Sequence, residues 1–147
     1  VSIAIEQALN TELINGGLDL DIVFDNGMYS TFDGFMYKHK KGVYTPSAER
    51  GYLESTAFPA GILPFSLKDS DKHVGVFQVI VKYPSDVGAI TTKMKADEVL
   101  ALFSIGSTVS YNGQDTRIDS KRTDGGRIEG GFFQVVVRFD YHAYVSR

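Results

Sequence analysis

Three histidines, His39, His73 and His142, are the side chains of this 147-residue chain best suited to metal ligation or to proton transfer near neutral pH. None has a second ligand at a metal-binding interval such as His-x-x-x-His, so they are expected to be exposed surface histidines. Asp69 and Asp71 imitate the opening of a calcium loop, but the glycine and glutamate that complete such a loop are missing. Asp119, Asp124 and Glu129 gather in one segment beside Lys121, Arg122 and Arg127. Paired carboxylates can do acid-base work, and a glycosidase needs two at a fixed separation around a cleft. On a glycine-rich loop, mixed charge more often makes a solvated or partner-contacting tip. The run Gly125-Gly126-Arg127-Ile128-Glu129-Gly130-Gly131 has neither the spacing nor the following helix of a phosphate or dinucleotide loop. There is no serine-centred nucleophile elbow. The absence of cysteine excludes disulfides, thiol nucleophiles and cysteine-ligated zinc. No catalytic, metal or cofactor-binding residue is assigned, and no cofactor is expected.

The one basic run is Lys38-His39-Lys40-Lys41, and it follows the aromatics Tyr29, Phe32, Phe35 and Tyr37. Basic residues interleaved with aromatics suit single-stranded nucleic acid, through phosphate contact and stacking. They equally suit a protein interface, where aromatics are enriched, or plain packing on the parent domain. The interface reading is preferred. The candidate contact residues are therefore Tyr29, Phe32, Phe35, Tyr37, Lys38, Lys40 and Lys41, together with Arg117, Asp119, Lys121, Arg122, Asp124 and Arg127 around the second charged segment.

Fifteen basic against 18 acidic residues, a net charge of −3, give no global field to pull the chain onto nucleic acid. The length suits one domain, since single cores usually serve roughly 100–200 residues. A hydrophobic content of 43% is ordinary for a globular protein. The longest apolar stretches fall short of the roughly 18 residues that a membrane span needs. The first residues carry neither a basic leader nor an apolar core of a secretory signal, so the chain is expected to stay where it is made.

These side chains must be positioned by a small set of elements. Ile5, Ala8, Leu9 and Leu13 recur at helical spacing over residues 2–15, with Ser2 as cap and Gly16-Gly17 as stop. Leu20, Ile22 and Phe24 alternate with polar neighbours as a half-buried strand, ended at Asp25-Asn26-Gly27. Residues 27–40 read as a projecting hairpin turning at Asp33-Gly34 through a two-residue type I′ turn. A strand over residues 52–58 stops at Pro59, a polar loop covers 68–73, and a second strand covers 74–83 with Phe77, Val79, Val81 and Tyr83 inward. Asp86 caps a helix reaching about Ser104, with Ile90, Met94, Ala96, Val99, Leu100 and Phe103 on its apolar side. Strands follow at 107–111, 116–120 and 132–144, with an Asn112-Gly113 turn and a charged glycine-rich loop over 121–131. In the last strand Phe133, Val135, Val137, Phe139 and Tyr141 face inward, and Gln134, Arg138, Asp140 and His142 outward. So long an apolar strand is an aggregation hazard at an edge, so it lies centrally or a neighbouring subunit covers it. The fold expected is α+β, a mainly antiparallel or mixed sheet with two helices on one face and a projecting hairpin.

Several strings in this order resemble the phage tail terminator-like family: Ile5-Glu6-Gln7-Ala8-Leu9-Asn10, Asn26, Tyr44-Thr45-Pro46 before Tyr52-Leu53, Val76-Phe77-Gln78-Val79, and Tyr83-Pro84 leading into a helix that ends near Phe103. The likeness covers nearly the whole chain, read as one domain over residues 1–147 in which residues 27–43 look like an inserted arm. The resemblance implies a non-enzymatic subunit of a hexameric ring that stops tail-tube polymerisation and joins the tube to the head. Its implied partners are copies of itself, the tail tube protein and the head-tail connector or completion protein, with no membrane. The implied place is the head-proximal end of the virion tail, after assembly in the host cytoplasm. A globule of this length has a diameter of about 38 Å, so six in a circle leave a lumen of about 38 Å, wide enough for genomic DNA to pass. A weakly acidic wall would not grip it. The rival readings are another head-tail joining or tail-tube subunit, and a small carbohydrate-binding module or enzyme built on residues 121–131.

Overall fold

The computed structural model describes residues 3–25, 27–33, 36–47, 49–64 and 70–146. Ser2 as a helix cap, Asn26 in its turn, Gly34 and Phe35 in the hairpin, and Lys68 and Asp69 in the polar loop lie outside the described residues. The elements are α1 (Ile3–Ile14), β1 (Asp21–Phe24), β2 (Met28–Phe32), β3 (Tyr37–Lys41), β4 (Tyr52–Pro64), β5 (Ser70–Pro84), α2 (Ala89–Leu102), β6 (Thr108–Tyr111), β7 (Gln114–Thr123), β8 (Arg127–Glu129) and β9 (Phe132–Ser146). The strands form one nine-stranded sheet in the order β3-β2-β1-β4-β5-β9-β7-β6, with β8 also on β9. β1 and β4 pair parallel, and the other pairs are antiparallel. The α+β arrangement is as expected from the sequence, and β9 lies centrally, between β5 and β7.

Both helices cover the same face. Ile5, Leu9 and Leu13 of α1 and Ala96 and Val99 of α2, with Phe103 just beyond it, join Ile22, Leu53, Phe77, Val79, Val81, Ile118, Val137 and Phe139 in one core. Alternation explains this, because successive strand side chains point to opposite faces and the inward set is apolar. At its centre the rings of Phe77, Phe103 and Phe139 lie 4.6 to 6.4 Å apart, centroid to centroid.

Several sequence expectations are corrected. In the hairpin, Phe32 pairs with Tyr37 and the Asp33 N–H donates to the Met36 carbonyl at 3.2 Å, so Asp33 closes the ladder and is not a central turn residue. β4 does not stop at Pro59 but continues to Pro64 past a bulge between Pro59 and Gly61. Its registered pairing with β1 ends at Ser55, so beyond that point a proline costs no ladder bond on the open side. β5 correspondingly starts at Ser70, within the supposed loop.

The Asp86 carboxylate does not cap α2. Residues 85–87 form a turn held by bonds from Val87 N–H to the Pro84 carbonyl (2.9 Å) and from Ser85 N–H to the Gly131 carbonyl (3.0 Å). The helix starts behind Gly88. Its buried face is Thr92, Ala96 and Val99, leaving Ile90 and Met94 exposed at 75% and 64%. Two residues are about 200° around a helix, so Ile90 and Met94 point away from the face that Thr92 and Ala96 bury. Finally, β7 extends to Thr123 and the charged loop contains β8, which brings the outward-facing Gln134 under cover, its amide donating to Glu129 at 3.2 Å.

Candidate assembly surfaces

The hairpin of β2 and β3 is not free-standing. Antiparallel pairing of Ile22 with Ser30 and Val23 with Tyr29 makes it the edge of the sheet. Its aromatics are half-buried against the chain: Tyr29 meets Tyr44 at 5.3 Å between centroids, and Phe32 meets Tyr37 at 5.1 Å. The Tyr37 hydroxyl donates to the Leu20 carbonyl at 2.8 Å. Burial, with the nearby Asp19 carboxylate, pushes its pKa up to about 12. What the hairpin presents outward is the lysine row, Lys38, Lys40 and Lys41, on an exposed edge strand. Lys38 reaches back to Asp33 at 3.1 Å, and His39 shares a 2.6 Å hydrogen bond with Ser30.

From Tyr29 an aromatic chain crosses the helix-free face. Tyr44 meets Tyr52 at 5.0 Å and Tyr52 meets Phe132 at 5.7 Å. Lys82 lies 5.8 Å from the centre of the Tyr52 ring and 3.0 Å from Glu54. Burial raises the Tyr44 pKa, and the Asp21 carboxylate that accepts its hydroxyl at 2.7 Å raises it further. Sequence spacing hides this chain, because its members come from three strands and a loop.

The second candidate group lies at the other side of the sheet, separated from the hairpin by β1, β4, β5 and β9. Its charges are bound to distinct partners. Lys121 donates to the Leu100 carbonyl at 2.9 Å, a cation at the end of α2 where the helix dipole favours it. Arg122 pairs with Asp140 at 2.6 Å, Asp119 with His142 at 2.7 Å, and Arg127 with Glu129 at 3.1 Å. Asp124 accepts the N–H groups of Gly126 and Val136 at 3.1 and 3.0 Å and so shapes its loop. Arg117 is exposed on β7. The three carboxylates do not converge: Asp124 lines a shallow pocket with Lys93, Ala96 and Asp97, in which neither Asp119 nor Glu129 takes part.

Two further surfaces escaped sequence reasoning. Beyond the helix layer β4, β5 and β9 continue as a three-stranded tongue, pairing Leu63 with Lys72 and Lys72 with Tyr144. Residues 56–64 carry no charged side chain, and Phe58, Ile62, Leu63 and Tyr144 are 43 to 56% exposed. At the base of the tongue, under the start of α1, lies a mostly apolar pocket of about 360 Å³ lined by Ile5, Glu6, Pro59, Ile62, His73 and Tyr141. Burial raises the Glu6 pKa there, with Asp25 adding to it. The second surface is the outer stripe of α2, Ile90 and Met94. The signal available in the sequence was the uncharged run itself, but only the strand register shows it standing clear of the core.

The structure is a helix-covered sheet with several ion pairs internal to the chain and apolar side chains standing clear of its core. Residues 34–141 match the model of a family described as phage tail terminator protein, which is most of the chain. The chain belongs to the phage tail terminator family, and its role is that of a structural protein of a phage tail. One solved structure shares the fold with a TM-score of 0.70, covering 95% of this chain and 92% of that one at 21% identity. No curated protein matches the sequence. Among the described residues, no helix is long and apolar enough to cross a membrane.

Proposed function

We propose that this chain is a tail terminator subunit, working as a single domain, whose copies close into a six-membered ring that caps the tail tube and joins it to the head connector. The observation that carries the reading is the family match, which runs from the hairpin through to Tyr141 on β9. The self-satisfied charges of β7 and the following loop support an assembly role over chemistry. A net charge of −3 suits a ring through which genomic DNA passes without being gripped.

The hairpin and the β7 charges are the candidate contacts with other virion parts. Lysines on an edge strand discourage pairing with an identical edge, so the β3 row suits a different, acidic partner better than a second copy. Negative-stain microscopy of the purified protein tests the proposal: closed rings of uniform size are expected. Long cylinders would point instead to a tube subunit, and strictly monomeric protein in solution and in virions would count against both.

A further inference from the structure

We infer that successive copies of this chain join through two different patches, the α2 stripe of one copy (Ile90 and Met94) seating on the tongue pocket of the next (Ile5, Pro59 and Ile62). This rests on the ring reading above and deepens it by naming the contact.

The first argument is placement. β5 begins in the tongue at Ser70 and ends at Pro84, just before α2. A strand of 15 residues spans about 50 Å, so the tongue and the first turns of α2 stand at opposite ends of the subunit. Within a ring, a contact between two such different patches repeats from each copy to the next. It is heterologous, passes from copy to copy in one direction, and closes into a ring when the rotation allows.

The second argument is chemistry. Ile90 and Met94 are aliphatic, exposed and on one side of α2, and the pocket is an apolar recess with aliphatic walls. Lys93 lies beside Ile90 around the helix, borders the recess that holds Asp97 and Asp124, and has no ion pair among the described residues. Glu6, on the pocket wall, offers it the opposite charge. Strand addition is not the mode of docking, because Pro59 and the neighbouring bulge interrupt the open edge of β4. What the tongue offers is side chains.

The test uses Ile62→Glu and Ile90→Glu, both at exposed positions, with circular dichroism to confirm folding and native mass spectrometry to read assembly. Each variant alone is expected to be monomeric. Mixed in equal amounts they should form a heterodimer and nothing larger, because the mixture retains one intact patch of each kind. Lys93→Glu, which sets like charges together, should weaken assembly about tenfold. Should Ile62→Glu fail to fold, Ile62→Ser probes the same contact. Wild-type protein that never assembles would overturn the ring reading itself. Wild-type rings that persist in either folded variant, or a mixture of folded variants that stays monomeric, would overturn this contact alone.

Discussion

Two parts of this sheet extend beyond the helices that cover its centre, and they are built in opposite ways. The β2–β3 hairpin buries its aromatics against the parent sheet and turns a row of lysines to solvent. The β4–β5–β9 tongue keeps its charges few and leaves Phe58, Ile62, Leu63 and Tyr144 uncovered. An edge strand offers unpaired backbone groups to any other strand, and proteins block that with charge, proline or bulges. The hairpin uses charge, which also keeps apolar partners away. The tongue uses Pro59 and a bulge, which block the backbone while leaving the side chains available. One region is thus guarded against pairing with an identical edge, and the other leaves apolar side chains exposed.

Five perturbations sharpen or break that contrast. The largest effect is expected from Phe103→Ala, which removes a fully buried ring in contact with Phe77 and Phe139 and so undermines the base from which both regions extend. Urea denaturation should show a loss of about 3–5 kcal/mol. Gly75→Ala acts on the base of the tongue alone, because a methyl group there meets the Tyr141 hydroxyl and comes within 2.7 Å of the Phe58 carbonyl. It should cost about 1–3 kcal/mol and reduce assembly, whereas a strain confined to the hairpin would leave assembly untouched. Asp124→Ala removes the acceptor of one exposed and one part-buried backbone N–H and should cost about 0.5–1.5 kcal/mol by the same measurement. It thereby marks that carboxylate as structural.

Lys40→Glu combined with Lys41→Glu should change stability by no more than about 0.5 kcal/mol, as exposed substitutions usually do. The purified protein should still assemble, while attachment to tails weakens. Loss of self-assembly in this variant would erase the distinction between the two regions. A further effect is confined to alkaline pH. Tyr37 has a pKa of about 12 in the folded chain against an ordinary 10.0, so its contribution is fully present below pH 10 and is lost as pH rises toward 12. Thermal melts across that window should show a shallower decline for Tyr37→Phe than for the wild type.

Much of the fold was legible in the residues because its signals are local. Alternation assigned Phe77, Val79 and Val81 on β5 and Val135, Val137, Phe139 and Tyr141 on β9 to the core, where they lie. Asn112-Gly113 marked a tight turn, and both residues adopt positive φ, 49° and 79°. What failed depends on neighbours that are distant in the chain. Pro59 ends a strand with partners on both sides, yet β4 has lost its β1 partner by then. Ile90 and Met94 look like core residues until the sheet selects the Thr92 and Ala96 side of α2.

The candidate surfaces divide in the same way. The lysine row was visible as a run of one charge. The internal duties of Lys121 and Asp124 were not, since a long-range carbonyl and backbone N–H groups are their partners. Nor was the tongue, whose glycine and prolines suggest a loop when read without the register of β5.

The most direct test of the account is the mass of the purified wild-type protein in native mass spectrometry, beside that of Ile62→Glu. A single closed oligomer for the first and a folded monomer for the second is the predicted result. A wild-type chain that remains monomeric at every concentration, and monomeric in the virion, would contradict the claim that this protein acts by fitting against copies of itself.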